Sequence, residues 1–320
     1  MITAASANIR GDLRDCVMEY AGNLEEQFMA LDVLPDLPTA IQSASNVPVL
    51  KVENTTDESH SGKRAKGGAY PRQTSEVGTT SFACEDYGQE EPVDEVDIKL
   101  FSNYFDAELS AAQIVAMRCM RAQEVRAAAA LFNATTFTSY TAGVSTEWSN
   151  ASGTPYADIQ DTVLKLKQNV GGAIGNAEIC LAVSEKVFRN IVQTTEIQGK
   201  IKGGSGSILD KVSSKDMIGA DRLASILGIN KVFYSCAQNG GSDIWDDEYA
   251  MLFLRSTDMT LKSAVQCGRT FRWTEDSPEA YTIEDYAEKA TRSQIIRCRH
   301  NVDEVILNAA AGYLLSNITA

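Results

Sequence analysis

Four acids crowd one short stretch, Asp243, Asp246, Asp247 and Glu248 in SDIWDDE. Carboxylates bunched in this way can hold a hard cation through oxygen ligands, and a metal-dependent enzyme would follow. Their spacing is not that of an EF-hand loop, so a solvated turn is the better reading. His60 in a polar loop and His300 at a strand end are the only histidines, and neither belongs to an HExxH or similar ligand motif. GKIKGGSGS lacks the GxxxxGK[ST] order and no hydrophobic strand leads into it, while GGAIG follows a helical pattern. A phosphate cradle needs a strand, a turn and then a helix, so both are read as loops. The seven cysteines, Cys16, Cys84, Cys119, Cys180, Cys236, Cys267 and Cys298, are scattered and form no CxxC pair. They read as free thiols in a reducing compartment, with Cys119, Cys180 and Cys298 acting as small hydrophobes in apolar segments. Matches to N-x-[ST] at Asn54, Asn133 and Asn317 matter only in an exported chain. No catalytic, metal or cofactor site emerges, and the expectation is a protein that is not an enzyme and needs no cofactor.

One segregation of charge stands out instead. Residues 51–84 read KVENTTDESHSGKRAKGGAYPRQTSEVGTTSFAC, a run with few residues that could fill a core. Lys63, Arg64, Lys66 and Arg72, with Tyr70 among them, gather at its centre beside Gly62, Gly67, Gly68 and Pro71. Glu85, Asp86, Glu90, Glu91, Asp94, Glu95 and Asp97 crowd the return. Val49 and Val52 before that centre, and Phe82 and Cys84 after it, frame a long hairpin. Composition alone also fits a disordered insertion; a basic tip above an acidic base favours the hairpin, with one copy reaching for the next.

The remaining elements supply the scaffold. From Ile2 to about Phe28 the spacing is loosely helical, and Pro35, Pro38 and Pro48 then preclude a long helix. Val96, Ile98 and Leu100 alternate as a strand. A helix is expected from Asp106 to Phe132, free of Gly and Pro, with Leu109, Met117, Met120 and Leu131 on one side. Thr154 and Pro155 open a second helix, carried by Ile159, Val163, Leu166 and Val170 and closed by Gly171 and Gly172. Ile179, Leu181 and Val183 predict a strand, Ser184 a cap and Val187 with Ile191 a helix. ADRLASILG predicts a short helix stopped by Gly228, and KVFYSCA and YAMLFLRS predict two strands about the turn NGGSD. At the end, Asn301 and Glu304 resemble a capping box ahead of a helix carrying Val305, Ile306, Ala309, Leu314 and Leu315.

With 320 residues, 44% of them hydrophobic, the chain can bury a sizeable core and divide into two units. The N-terminus lacks the charged start and apolar block of a secretory signal, and no window approaches a membrane span, so neither export nor insertion is expected. A net charge of -14 opposes tight nonspecific adherence to nucleic acid. It also makes copies repel, so any assembly must overcome that repulsion with contact area.

The C-terminal stretch RSQIIRCRHNVDEVILNAAAGYLL resembles the closing segment of tailed-bacteriophage major capsid proteins with the Hong-Kong-97-type fold, and FRWTEDSPEAYTIEDYAEKATRS before it resembles their long peripheral-domain strands. The resemblance extends to the order of elements over nearly the whole chain. It implies an α+β fold with an N-terminal arm (1–46), an extended β-hairpin loop (47–95), a peripheral domain with a spine helix (96–150), an α/β axial domain (151–265) and a return to the peripheral domain ending in a helix (266–320). It further implies a shell of hexamers and pentamers around double-stranded DNA that is contacted nonspecifically, assembled in the host cytoplasm and residing in the virion capsid. Scaffolding, portal and decoration proteins would be partners; the early start of arm and loop implies either a separate scaffolding protein or a processed chain. Lys63, Arg64, Lys66, Tyr70 and Arg72 would then contact a neighbouring subunit. The covalent crosslink of some family members has no assignable lysine here. An encapsulin-like compartment holding cargo enzymes keeps the fold and changes the role, although the long loop and the unhelical early arm fit it less well.

Overall fold

The computed structural model describes residues 8–22, 28–49, 62–64, 66–70, 78–101, 106–172, 174–203, 219–258 and 265–319. Its first half starts with β1 (Asn8–Ile9), α1 (Gly11–Gly22), α2 (Ala30–Val33), β2 (Asp36–Thr39) and β3 (Ser43–Val49), followed by β4 (Gly78–Ala83), β5 (Glu85–Asp94) and α3 (Glu95–Phe101). The spine helix α4 (Ala107–Leu131), β6 (Thr141–Gly143) and α5 (Pro155–Asn169) come next. A βα alternation then runs β7 (Glu178–Ser184), α6 (Glu185–Gln193), α7 (Thr195–Gly203), α8 (Ala220–Leu227) and β8 (Lys231–Ser235). The rest is strand apart from one 3-10 turn (Ala309–Ala311): β9 (Gln238–Asn239), β10 (Ser242–Asp243), β11 (Ala250–Arg255), β12 (Gly268–Trp273), β13 (Thr282–Glu288), β14 (Ser293–Ile306) and β15 (Gly312–Ser316).

Two sheets organise these elements. The first has six strands, in the order β1-β13-β14-β12-β2 with β5 also on β14. The fourteen residues of β14 allow this, because β13 pairs over Ser293–Arg299, β12 over Val302–Ile306, and β5 over Ser293–Val302. The spine helix lies across this sheet. Asp106 caps it by accepting from the Glu108 and Leu109 amides at 3.0 and 3.2 Å, and twenty-five residues at a rise of ~1.5 Å make a rod of ~37 Å. Its buried stripe is mostly small: Ala111, Ala112, Val115, Ala116, Cys119, Met120, Gln123, Glu124, Ala127, Ala128 and Leu131. Of the side expected from the large residues, Met120 and Leu131 are buried, whereas Leu109 and Met117 are only half-buried at its margin. Alanines form the true seam, since they let the backbone approach the sheet closely.

The second sheet, β6-β15-β11-β7-β8, is the core of the α/β unit. β7 and β8 are parallel, joined through the crossover that contains α6, α7 and α8, and β11 is antiparallel to β7. β7 and β11 are buried on both faces rather than alternating. Pro155 opens α5, Ser184 Oγ accepts from the Val187 amide at 3.2 Å to cap α6, and Gly228 at φ 67° ends α8, as the sequence predicts. Among the described residues no helix is long and apolar enough to cross a membrane.

Four expectations need correction. Residues 301–315 do not form a terminal helix. Val302, Val305 and Ile306 extend β14, Asn301 bonds Ser277 and Asp276, Glu304 pairs with Arg126, and Gly312 starts β15. The capping-box pattern therefore lost to a run of β-branched residues with tertiary partners. Val96, Ile98 and Leu100 lie in α3, not in a strand, because the Asp94 carboxylate accepts from the Val96 amide at 2.7 Å and starts a helical turn. NGGSD turns the small hairpin β9–β10; β8 and β11 are separated by β7. The residues expected as an N-terminal arm dock on the chain's own first sheet, through β1 on β13, β2 on β12 and Leu13 in the core under the spine helix.

Gly312 tests the packing of the second sheet. A Cβ there would collide with the Met251 side chain, and would sit 2.8 Å from Phe137 and 3.0 Å from Cys267. Gly312→Ala is expected to cost about 1–3 kcal/mol by overpacking, measured by urea unfolding.

Candidate assembly surface

The basic projection is built from its base outward. β3 and β4 pair antiparallel from Ser43↔Ala83 to Val49↔Gly78, with a bulge between Ala44 and Val47. Phe82 carries this ribbon into the body, its ring stacked on Phe271 of β12 at 4.2 Å and 5°, with Leu37 and Cys84 completing a small core. The Ala83 amide donates to Asp303 Oδ2 at 2.8 Å, and the Gln42 carbonyl accepts from the Cys84 amide at 2.9 Å. Burial lifts the Asp303 carboxyl above its ordinary value, opposed by the Ala83 amide and reinforced by Glu304 and Glu85. Phe82→Ala is expected to cost about 3–5 kcal/mol at this anchor. Amide exchange should then accelerate in Ser43–Val49 and Gly78–Ala83 before it does in β14.

Within the described residues 62–64 and 66–70, Lys63, Arg64, Lys66 and Tyr70 are all exposed, and Gly67 takes φ 85° in a turn. Arg64 organises the tip locally: its Nε donates to the Gly68 carbonyl at 2.6 Å and its guanidinium lies 5.2 Å from the Tyr70 ring centre. Tyr70, 68% exposed, is the most open large apolar side chain among the described residues. Lys63 and Lys66 have no carboxylate partner among the described residues. Arg72 and His60, also singled out from the sequence, lie outside the described residues.

The acidic return is only partly available to a neighbour. Glu90 pairs with Arg297 at 2.6 Å, Glu91 with Arg118 at 2.6 Å and Glu95 with Arg292 at 3.3 Å. Asp86 has no such cation among the described residues. It lines an open groove of about 540 Å³ with Gly88, Gln89, Glu90, Arg297 and Arg299, on the face of the first sheet opposite the spine helix. The groove exists because Gly88 carries no side chain: a Cβ there would stand 3.0 Å from both the Arg299 Cβ and the Cys298 carbonyl.

The acidic group of SDIWDDE does not converge on a cation. Asp247 accepts from Ser184 Oγ at 2.5 Å and Lys186 Nζ at 2.9 Å, Asp243 from Gln238 at 2.8 Å, Asp246 from the Glu248 amide at 3.0 Å, and Glu248 from the Asn317 amide at 2.9 Å. These bonds close the α/β unit around the end of the chain. Trp245 from the same stretch points inward, its indole N–H donating to Glu124 Oε2 on the spine helix at 2.6 Å, while the Ala30 amide donates to Glu124 Oε1 at 2.6 Å. Burial lifts the Glu124 carboxyl to about 7 despite both donors. This junction of α2, the spine helix and the second sheet had no sequence signal beyond a glutamate on an alanine-rich face.

No family model and no curated protein sequence matches the chain. Solved structures do. A phage-related protein from Bordetella bronchiseptica RB50 superposes with a TM-score of 0.67 at 13% identity, over 98% of this chain and 98% of that one. The capsid of cyanophage P-SCSP1u gives 0.57 at 10% identity over 92% and 89%. The chain has the Hong-Kong-97-type capsid fold. A virus-like particle from Pyrococcus furiosus shares it, with a TM-score of 0.54 at 12% identity over 95% and 98%.

Proposed function

We propose that this chain is the major capsid subunit of a tailed double-stranded DNA bacteriophage, assembling as hexamers and pentamers of an icosahedral shell. The observation that carries the reading is a capsid fold matched from end to end, together with an anchored ribbon and exposed Lys63 and Lys66 that have no carboxylate partner among the described residues. Lys63, Arg64, Lys66, Tyr70 and Arg72 would contact the neighbouring subunit, and the groove at Gly88 with its unpaired Asp86 supplies complementary charge for them. Each exposed pair is worth only ~0–1 kcal/mol. A closed shell repeats such contacts many times, so modest pairs act as a multivalent array. The role is structural, in the virion, after assembly in the host cytoplasm; scaffolding, portal and decoration proteins are the expected partners, and packaged DNA is touched without sequence preference. The peripheral domain at 96–150 and 266–320 and the axial domain at 151–265 are proposed as the two units of the subunit, with β6 and β15 as the strands by which the flanking segments enter the second sheet.

Sedimentation of the expressed chain, alone and co-expressed with a scaffolding protein where its genome encodes one, tests this reading. Capsomers or shells are expected; a persistent monomer under both conditions would contradict it. The Pyrococcus particle favours a second reading, a cellular compartment on the same fold. Neighbouring portal, terminase and tail genes support the phage shell, whereas a lone cargo enzyme gene supports the compartment.

A further inference from the structure

We propose that the free edge of β5 is completed by a strand from a second copy, the basic segment of its ribbon that carries Lys63 and Arg64, so that the first sheet continues across the subunit boundary. This pairing depends on the shell reading above and adds main-chain bonds to the charge contacts of the groove. Among the described residues β5 pairs with β14 alone, over ten consecutive positions from Ser293↔Asp94 to Val302↔Glu85. In an antiparallel pair alternate residues turn their amide and carbonyl toward the partner, and those between turn theirs away. Three observations fix which row is which. The Asn301 amide, opposite Asp86, donates to Ser277 Oγ at 3.0 Å on the other side of β14. The Glu95 amide donates to the Arg292 carbonyl at 3.1 Å, toward the β14 side. Pro92, which has no amide proton, falls in the same row as Asp86, Gly88 and Glu90. Tyr87, Gln89, Glu91 and Val93 therefore bond β14, while Asp86, Gly88 and Glu90 turn their amides outward at a spacing of ~6.8 Å. All three of these residues are exposed, and no group among the described residues bonds their amides.

The charge of the edge selects its partner. Glu85, Asp86, Glu90, Glu91 and Asp94 are acidic and no residue of β5 is basic, so a second β5 laid alongside would oppose like charge to like charge. A basic strand meets the opposite situation. Consecutive residues of a strand face opposite sides, which puts Asp86 and Glu90 on the groove face with Arg297, and Glu85 and Glu91 on the face of the spine helix with Arg118. Lys63 and Arg64 are likewise consecutive, so an added strand brings one cation to each face. Arg64 engages the Gly68 carbonyl through Nε, one of the five N–H donors of a guanidinium. Gly88 leaves the middle of the edge without a side chain, where an incoming backbone can come close. Main-chain bonds give such a strand its hold, and the flanking charges give it register.

Residue-resolved hydrogen exchange of the full chain, as the free subunit and in particles, reads this edge directly and needs no variant. In the subunit the Tyr87, Gln89 and Glu91 amides should be protected and the Asp86, Gly88 and Glu90 amides fast; in particles the second set should slow by about tenfold or more. Carbodiimide coupling in the same particles should join the Lys63 amine of one copy to a β5 carboxylate of the next. Glu90→Pro removes one outward amide and leaves the bonds to β14 in place. It should fold, yet give about tenfold fewer particles than Glu90→Ala, which loses the same carboxylate and keeps the amide, because the lost bond recurs at every contact. Particles whose outward amides exchange as fast as in the subunit would overturn the pairing and leave the shell reading standing. Protection without the Lys63 link would give the edge to another segment or protein and overturn the assignment to the ribbon. Failure of the unaltered chain to form any particle would overturn both readings.

Discussion

Glu124→Ala is expected to lower the unfolding free energy by about 2–6 kcal/mol, because it strands two buried donors at about 1–3 kcal/mol each. The donors are the Ala30 amide and the Trp245 indole, which are far apart in sequence and share this carboxylate. Glu124→Gln keeps the shape but turns an amide NH₂ toward one of them, so a smaller loss is expected. The carboxyl also gives the chain a pH dependence with a definite sign. Its value rises from 4.5 to about 7 on folding, so in that window the folded chain holds a proton that the unfolded chain has released. Its stabilising contribution is complete below 4.5 and is lost as pH rises through about 7. Urea unfolding at about pH 5 and about pH 8 should show that decline in the unaltered chain and a flatter response in Glu124→Gln.

Reversing charge at the ribbon tip is the second large effect. Lys63→Glu with Lys66→Glu should abolish particle formation at physiological salt while leaving the unfolding free energy within about 0.5 kcal/mol of the unaltered chain, since both side chains are exposed and have no carboxylate partner among the described residues. Single reversals should only lower the yield. Adding Asp86→Lys to the double variant should restore particles if the groove at Gly88 receives the tip, and salt should weaken the native contact and the restored one alike. Light scattering during assembly reads all five proteins. Failure of the added change to restore assembly, with the double reversal inactive, would move the tip's seat elsewhere on the neighbour.

How far these features were legible in the sequence follows from the range of the forces involved. Asp106, Pro155, Ser184 and Gly228 mark helix ends through bonds made within a few residues, and each sits where local chemistry predicts. The base of the ribbon was legible because a run with few core residues lies between β-forming ends that include Val49 and Phe82; residues 50–61, 65 and 71–77 of the expected hairpin lie outside the described residues. Misreadings arose where distant partners decide. Asn301 and Glu304 look like a helix start until Asp276, Ser277 and Arg126 claim them, and Val96 to Leu100 alternate like a strand until Asp94 caps a turn. The acids after the ribbon looked uniformly available; Arg118, Arg292 and Arg297, remote in sequence, neutralise three of them and leave Asp86 open. No local pattern could have singled out Glu124, because its role depends on what the spine helix meets across the sheet.

The account requires that a chain with this fold completes its contacts only beside copies of itself. Electron microscopy of particles recovered from cells expressing the chain, with its scaffolding partner, tests that most directly. The predicted image is a closed shell of hexamers and pentamers in which the density of each β3–β4 ribbon ends on an adjacent subunit's first sheet. Dispersed single subunits of 34.7 kDa, with the tip lysines resting on their own chain, would contradict it.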